Sequence, residues 1–409
     1  MAHSEHPPLG EMRRIPGGNV TTPLGFSAAG VTCGIKKSGK PDLAIIHTDI
    51  PAACGGVFTT NKVRAACVDI NRERVAKGTA QTIVVNSGNA NAFTGKQGYA
   101  DALAMCESAA LALHIDTESV LGCSTGVIGE PMPMECVCAG IAEAVAGLSS
   151  TGGNAAAEAI LTTDLVAKTI ACEVTLSGGS VNIGAIAKGS GMIEPNMATM
   201  FCFLTTDACI AAPALQIVLK DAADQSFNCL TVDGDTSTND MTLILANGAS
   251  GVAVESRDAQ AFQHALTWVC QEMAKAIASD GEGATKLVEI RVKGAASDDD
   301  ARRAAKTIAN SPLVKTALYG QDPNWGRILA AAGRSGAEVD QSKIDLSLQD
   351  EALVRNGEPL ELSDTIRKGL LSTDYVTIDL DLHIGEGSAV VWTCDLSYDY
   401  VKINADYHT

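Results

Sequence analysis

The stretch from Lys188 to Met200 reads Lys188-Gly189-Ser190-Gly191-Met192-Ile193-Glu194-Pro195-Asn196-Met197-Ala198-Thr199-Met200 and carries the residue types of an acyl-transfer site. A threonine within a chain is a poor nucleophile, because its hydroxyl is un-ionised near neutral pH and needs a base beside it. A threonine at a free N-terminus carries that base on its own α-carbon. Breaking the Ala198–Thr199 bond would give Thr199 an α-amine with a pKa of about 7.7 to 8.0, against about 10.4 for a lysine. The stretch therefore predicts a chain that cuts itself.

The flanking residues suit a scissile bond. Gly189 and Gly191 open backbone conformations closed to other residues, and Pro195 pushes Glu194 toward extended geometry, so a shaped loop is expected between two apolar runs. Ala198 puts little bulk before its carbonyl, and the β-branched Thr199 has few χ1 choices, which aims its hydroxyl. Spacing alone favours a plainer reading, a Gly/Pro connection between strands with an incidental Ala-Thr.

Other segments along the chain bear on the reading together with this one. They are Val85-Asn86-Ser87-Gly88-Asn89-Ala90-Asn91-Ala92, Ser124-Thr125-Gly126-Val127-Ile128-Gly129 and Thr162-Thr163-Asp164. Further on come Thr231-Val232-Asp233-Gly234-Asp235-Thr236-Ser237-Thr238-Asn239-Asp240, Asp280-Gly281-Glu282-Gly283-Ala284-Thr285-Lys286, Gly320-Gln321-Asp322-Pro323-Asn324-Trp325-Gly326-Arg327 and Asn404-Ala405-Asp406-Tyr407-His408-Thr409. In this order, from about residue 15 to the last, they resemble the ornithine acetyltransferases, enzymes of arginine biosynthesis also called glutamate N-acetyltransferases. The resemblance implies a precursor that splits into an α chain, 1–198, and a β chain, 199–409, with Ala198 and Thr199 at the cut. It implies two α and two β chains held together, and transfer of acetyl from N2-acetylornithine to glutamate through an acetyl-threonine. No bound cofactor is implied, with acetyl-CoA a candidate co-substrate. Residue by residue, Thr199 matches the nucleophile, Thr125 and Gly126 the oxyanion hole, and Thr162, Lys188, Thr199, Glu282, Asn404 and Thr409 the substrate-binding set. An N-terminal-nucleophile amidase or aminopeptidase of the same fold would need the same residues for cleavage and would pass its acyl group to water.

Beside the resemblance, each position has its own chemistry. The Thr125 hydroxyl and Gly126 N–H could stabilise an oxyanion, while Ser124-Thr125-Gly126 could equally be a turn. Gly122-Cys123-Ser124-Thr125-Gly126 matches a serine-hydrolase elbow, which requires a helix directly after the serine. Gly129, Pro131 and Pro133 postpone any helix, and His264, His383 and His408 sit in no telling motif. Lys188 suits a substrate carboxylate, and Glu282, between glycines, an ammonium. Asp280 and Asp233 are rival acids of the turn-forming kind. Asn404 and Thr409 carry little chemical signal of their own.

These side chains need a layered scaffold. Helical periodicity covers 102–114, 133–148, 212–227 and 258–278. Strand-like runs cover 43–47, 82–86, 170–176, 181–187, 200–206 and 241–246, then 288–293, 344–348, 376–384 and 388–396. The strands outnumber the needs of a doubly wound sheet, so an α/β fold of helices on stacked mixed sheets is expected. With the resemblance, this becomes a self-processing N-terminal-nucleophile-type fold with a smaller C-terminal α/β lobe beginning near Lys286. At 409 residues the chain exceeds what one core usually serves.

A net charge of −18 opposes nucleic-acid and anionic-membrane binding, since phosphate contacts need clustered Lys and Arg. No apolar run is long enough for a membrane span. The 13 cysteines are scattered, only Cys136 and Cys138 lie close, and those two point to different helix faces, so no metal site is expected. With no signal-peptide pattern at Met1–His6, the expected compartment is the cytoplasm.

Overall fold

The computed structural model describes residues 10–194 and 200–406. The first nine strands are β1 (Met12–Arg14), β2 (Ser27–Val31), β3 (Leu43–Phe58), β4 (Thr79–Asn89), β5 (Val120–Val127), β6 (Lys168–Leu176), β7 (Gly179–Lys188), β8 (Phe201–Thr206) and β9 (Met241–Ala246). They form one mixed sheet in the order β1-β6-β7-β8-β9-β3-β4-β5, with β2 also paired to β3.

Strand β3 makes the fold two-layered. Its first half pairs with β4 through Leu43–His47, its second half pairs with β9 through Ala53–Phe58, and the register to β4 shifts between His47 and Ala52. A shift of this kind bends a strand, and Pro51 stands inside it. The two halves of the sheet fold toward each other. Ala44, Ile46, Ile83, Val85 and Leu121 from one half share a single apolar cluster with Ile186, Phe201, Phe203, Leu243 and Leu245 from the other. The alternate residues face outward. Leu43, Ile45, Val84 and Val120 lie under α2 (Gly95–Leu113) and α3 (Met134–Ala146), and Ile183, Ala185, Cys202, Leu204 and Ile244 lie under α5 (Ala212–Asp224) and α6 (Ala259–Ser279). Period-two alternation with both faces apolar is what a strand between two covered layers requires.

Short helices α1 (Ala66–Val75) and α4 (Gly153–Ala159) close the edges of this sandwich. Helix α1 has a polar sequence, yet Asn71 and Arg74 are buried in it. They satisfy the outer edge of β5: Asn71 Nδ2 donates to the Gly122 carbonyl at 2.8 Å, the Gly122 N–H donates to Asn71 Oδ1 at 3.1 Å, and Arg74 donates to the Val120 carbonyl at 2.6 Å. An edge strand covered in this way is held in place and shielded from pairing elsewhere.

The second sheet begins at Leu287. It contains β10 (Leu287–Ala295), β11 (Asp345–Leu348), β12 (Glu351–Arg355), β13 (Glu358–Pro359), β14 (Tyr375–Asp381) and β15 (Gly387–Cys394), in the order β13-β12-β11-β14-β10-β15. It has its own apolar core with α7 (Asp298–Ala309), α8 (Pro312–Tyr319) and α9 (Trp325–Gly333). After the short α10 (Asp364–Gly369), the chain finishes the sheet and runs back as α11 (Tyr398–Asp406), which has no buried residue. All 13 cysteines are free thiols, Cys136 and Cys138 lie in α3, and no cluster of potential metal ligands occurs among the described residues. No described helix is long and apolar enough to cross a membrane.

Candidate active site

Strands β5 and β7 and the Gly-rich turn before β10 end around one cavity of about 150 Å³. Its lining includes Thr125, Gly126, Thr162, Lys188, Glu282 and Asn404, together with Asp240 and the preceding Ser237-Thr238-Asn239. Thus six of the positions singled out in the sequence meet at one place. Thr199, Ala198 and Thr409 lie outside the described residues. The volume suits a ligand of amino-acid size, since drug-sized ligands fill about 300 to 1,000 Å³.

Ser124-Thr125-Gly126 lies at the end of β5, where a turn was the alternative. Strand β5 runs parallel to β4 up to the pairs Ser87–Thr125 and Gly88–Gly126, and there the register breaks, with Asn89 facing both Thr125 and Val127. Gly126 has φ +132°, and a Cβ on it would stand 2.3 Å from the Gly88 carbonyl carbon. Glycine is therefore required by both its backbone conformation and the close approach. Asn239 ties the strand end down, donating to the carbonyls of Ala90 at 2.6 Å and Ser124 at 2.7 Å. The Ser124 side chain is fully buried, and the next helix, α3, starts only at Met134. That geometry is not a nucleophile elbow. His264 is exposed, and the exposed His383 faces Asp345 and Asp381.

Lys188 is the last residue of β7 and only 9% exposed. Its ammonium lies 3.4 Å from the Thr125 hydroxyl. Behind it, the Asp164 carboxylate accepts from the Gly189 N–H at 2.6 Å, the Thr162 N–H at 3.0 Å and Lys168 Nζ at 2.7 Å. Burial pushes the Asp164 pKa up, but Lys188, Lys168 and these hydrogen bonds more than offset that and hold it well below the usual carboxylate range. Lys168 also donates to Asp280 at 2.6 Å, which joins this network to the end of α6. Asp280 is thereby a structural acid. Lys36 also lies near Lys188: burial, then this neighbour's charge against the opposing pull of Asp42, brings its pKa down to about 8.

Glu282 reaches the cavity from the other side. Its N–H donates to the Ser190 carbonyl at 2.9 Å, and the Ser190 hydroxyl donates to the Asp280 carbonyl at 2.7 Å. Asn404 Nδ2 of α11 donates to Glu282 Oε2 at 2.8 Å. Gly191 lies so close to the Glu282 carboxyl that a Cβ there would stand 2.5 Å from it. Asp233 takes a different part. Its carboxylate accepts from the N–H groups of Met192 and Ile193 at 2.7 and 2.8 Å, gripping the loop after Gly191, while burial raises its pKa. The same loop is held at Glu194, whose carboxylate accepts from Asn310 Nδ2 at 2.5 Å.

Sequence reading gave no role to Asp240, although it lies in one of the quoted segments. Asp240 is 5% exposed and its Oδ2 has no hydrogen-bond partner among the described residues. Chemically, the site joins a buried cation, a carboxylate bonded from α11, a hydroxyl at a strand end and a second, buried carboxyl. It can hold a zwitterion and polarise a carbonyl.

The ArgJ family model matches residues 27–409. An arginine biosynthesis bifunctional protein ArgJ from a Synechococcus species is 52% identical over 405 residues, covering 96% of this chain and 98% of the relative. The protein of that name from Symbiobacterium thermophilum is 52% identical over 397 residues, covering 96% of this chain and 99% of the relative. Among solved structures, an arginine biosynthesis bifunctional protein ArgJ from Bacillus halodurans is 47% identical with a TM-score of 0.50, covering 51% of this chain and 100% of the solved chain.

Proposed function

The chain belongs to the ArgJ family, and from that premise we propose that it is a self-cleaving acetyltransferase moving acetyl from N2-acetylornithine to glutamate through an acetyl-Thr199. The observation that carries this reading is the cavity shared by Lys188, Thr125, Gly126 and Glu282, at the end of β7 where Lys188 pairs with Phe201 of β8. Lys188 receives the α-carboxylate that donor and acceptor have in common. Glu282 receives the side-chain ammonium of ornithine, and Asn404 fixes the carboxylate's orientation. The Thr125 hydroxyl and the Gly126 N–H face the oxygen on which negative charge develops.

One hydroxyl serves both reactions. In maturation, Thr199 Oγ attacks the Ala198 carbonyl, the peptide C–N bond breaks as the α-amine takes the hydroxyl proton, and water opens the resulting ester. In turnover, Oγ attacks the acetyl carbonyl while the α-amine takes its proton. The tetrahedral oxyanion collapses, the acetamide C–N bond breaks, and the α-amine gives that proton to the departing nitrogen. Glutamate's amine then attacks the acetyl ester and Oγ leaves as the hydroxyl. Such a ping-pong scheme parks the acetyl group on the protein and needs no resident cofactor. Acetyl-CoA enters the proposal as a second donor to the same Thr199, and two α and two β chains as the assembly. The whole solved chain from Bacillus halodurans spans 51% of this one, a length that supports a precursor cut near its middle.

Intact-mass spectrometry tests the proposal. The wild type should give two fragments, the second beginning at Thr199, and acetylornithine should add one acetyl group to that fragment. Thr199→Ala should stay a single chain without activity. An uncut wild-type chain that makes acetylglutamate would overturn the processing claim. Acetylornithine consumed at the same rate with and without glutamate, and no acetylglutamate formed, would assign a hydrolase instead.

A further inference from the structure

Asp240 stands where the acetyl-transfer chemistry has an unassigned proton. The amide nitrogen of the donor leaves as an amine and ends as an ammonium. The acceptor arrives as an ammonium and must become an amine before it can attack. Each cycle therefore gives a proton to one amine and removes one from another, on either side of a state in which only the acetyl group is bound.

We propose that Asp240 stores this proton between turnovers: its neutral carboxyl gives a proton to the departing ornithine amine, and its carboxylate takes one from the incoming glutamate ammonium. The proposal rests on the acetyl-transfer reading above. Proton and charge balance at each step. Ornithine amine plus Asp240 carboxyl gives ornithine ammonium plus Asp240 carboxylate, and glutamate ammonium plus that carboxylate restores the carboxyl and a free amine.

Placement is the first support. Asp240 directly precedes β9, which runs parallel to β8 with Phe201 opposite Met241, and the Met241 N–H donates to the Met200 carbonyl at 3.1 Å. Register thus sets Asp240 across from Met200, the residue that follows Thr199 in the chain. The second support is the side chain, which is buried, lines the cavity and has an oxygen with no partner among the described residues. An unpaired carboxylate would be expensive there, whereas a carboxylic acid is not. Burial raises the pKa well above the ordinary value despite the Ser237 hydrogen bond and Lys188 pulling the other way. The charged groups sharing the cavity are Lys188 from β7 and Glu282 from the turn before β10, with Asp164 behind Lys188. Among them, Glu282 is bonded to Asn404 and Asp164 is bonded to Lys168, so Asp240 is the carboxyl left to exchange a proton.

Infrared difference spectroscopy on the cleaved wild-type enzyme is the direct test. Resting enzyme minus acetyl-enzyme freed of ornithine should show loss of one protonated-carboxyl band that moves with carboxyl-13C aspartate and is absent in Asp240→Asn. No such loss overturns the proposal, and this measurement does not depend on the variant folding. In parallel, Asp240→Asn should still yield both fragments and bind acetylornithine with a KM within about threefold of wild type. Its kcat should fall about 100-fold or more, the usual size of general acid–base catalysis. Wild-type kcat in a folded Asp240→Asn enzyme would overturn the Asp240 assignment and leave acetyl transfer intact. A wild type that forms no acetylglutamate would instead overturn the reading beneath it.

Discussion

At the scale of single residues, the site depends on charges that balance only together. The Asp164 side chain is 0% exposed and bonded to Lys168, with Lys188 adjacent. Asp164→Asn keeps the shape and leaves two buried cations short of a counter-charge, which should cost about 3 to 5 kcal/mol. The sign with pH follows from a folded pKa below the ordinary 3.8. The carboxylate's contribution is complete above the unfolded value and is lost as pH falls through the folded one. Urea unfolding should therefore show a wild-type advantage near pH 7 that shrinks under strong acid, and an unchanged advantage would contradict the assignment. Glu282 is a separate matter. Glu282→Gln keeps a hydrogen-bond acceptor for Asn404 but removes the charge, so the KM for acetylornithine should rise about 10- to 100-fold while the KM for glutamate moves far less, as expected for loss of a charged hydrogen bond of about 1.5 to 3 kcal/mol. Equal rises for both substrates would place Glu282 on the carboxylate side.

At the scale of elements, strand ends and the glycines beside them position the site. Alternation of apolar residues made most strands legible: 241–246 coincides with β9, and 181–187 falls within β7. The run 43–47 is different, because β3 continues to Phe58. Asp49, Ile50 and Pro51 interrupt the alternation, and only the fold shows that the interruption is a bend between two layers. Strand β5 was obscured by its glycines, which a sequence reading assigns to turns. Helix α1 was hidden too, since Asn71 and Arg74 look solvent-facing until the edge carbonyls of β5 are seen to need them. Among the lining residues, Lys188, Glu282 and Gly126 are legible from charge or glycine context, while Thr162 and Asn404 are legible only through the family resemblance. Asp240 carries no such signal, because its burial and its place across from Met200 come from strand register, which single-chain spacing does not contain. Gly191 supplies an element-scale prediction. Gly191→Ala would set a methyl group 2.5 Å from the Glu282 carboxyl and force that side chain or the loop to yield. An overpacking cost of about 1 to 3 kcal/mol is expected, expressed as lower kcat/KM with both fragments still formed. Unaltered kinetics would show that Glu282 is free to swing.

At the scale of the whole molecule, a cavity built mainly on the first sheet is completed by a chain end that leaves the second. Strand β15 finishes the second sheet at Cys394, and α11 then returns across the Gly-rich turn. There the Ser397 hydroxyl donates to the Gly283 carbonyl at 2.6 Å, and a Cβ on Gly283 would stand 2.6 Å from the Tyr400 N–H. Helix α11 contributes no buried residue to either core, while Asn404 is the group that holds Glu282 from this side. Stability and substrate binding are therefore separable here. Ending the chain before Tyr398 should leave the unfolding midpoint within a few degrees of wild type, because little apolar area is lost. The same truncation should raise the KM for acetylornithine at least about tenfold, since Glu282 loses its orienting donor. Asn404→Ala in the full chain should reproduce much of that rise. If the truncated protein unfolds well below wild type, α11 is part of the scaffold. If it binds substrate normally, Glu282 is oriented by the turn at Gly281 and Gly283 alone, and the return of the chain from the second sheet has no part in the site.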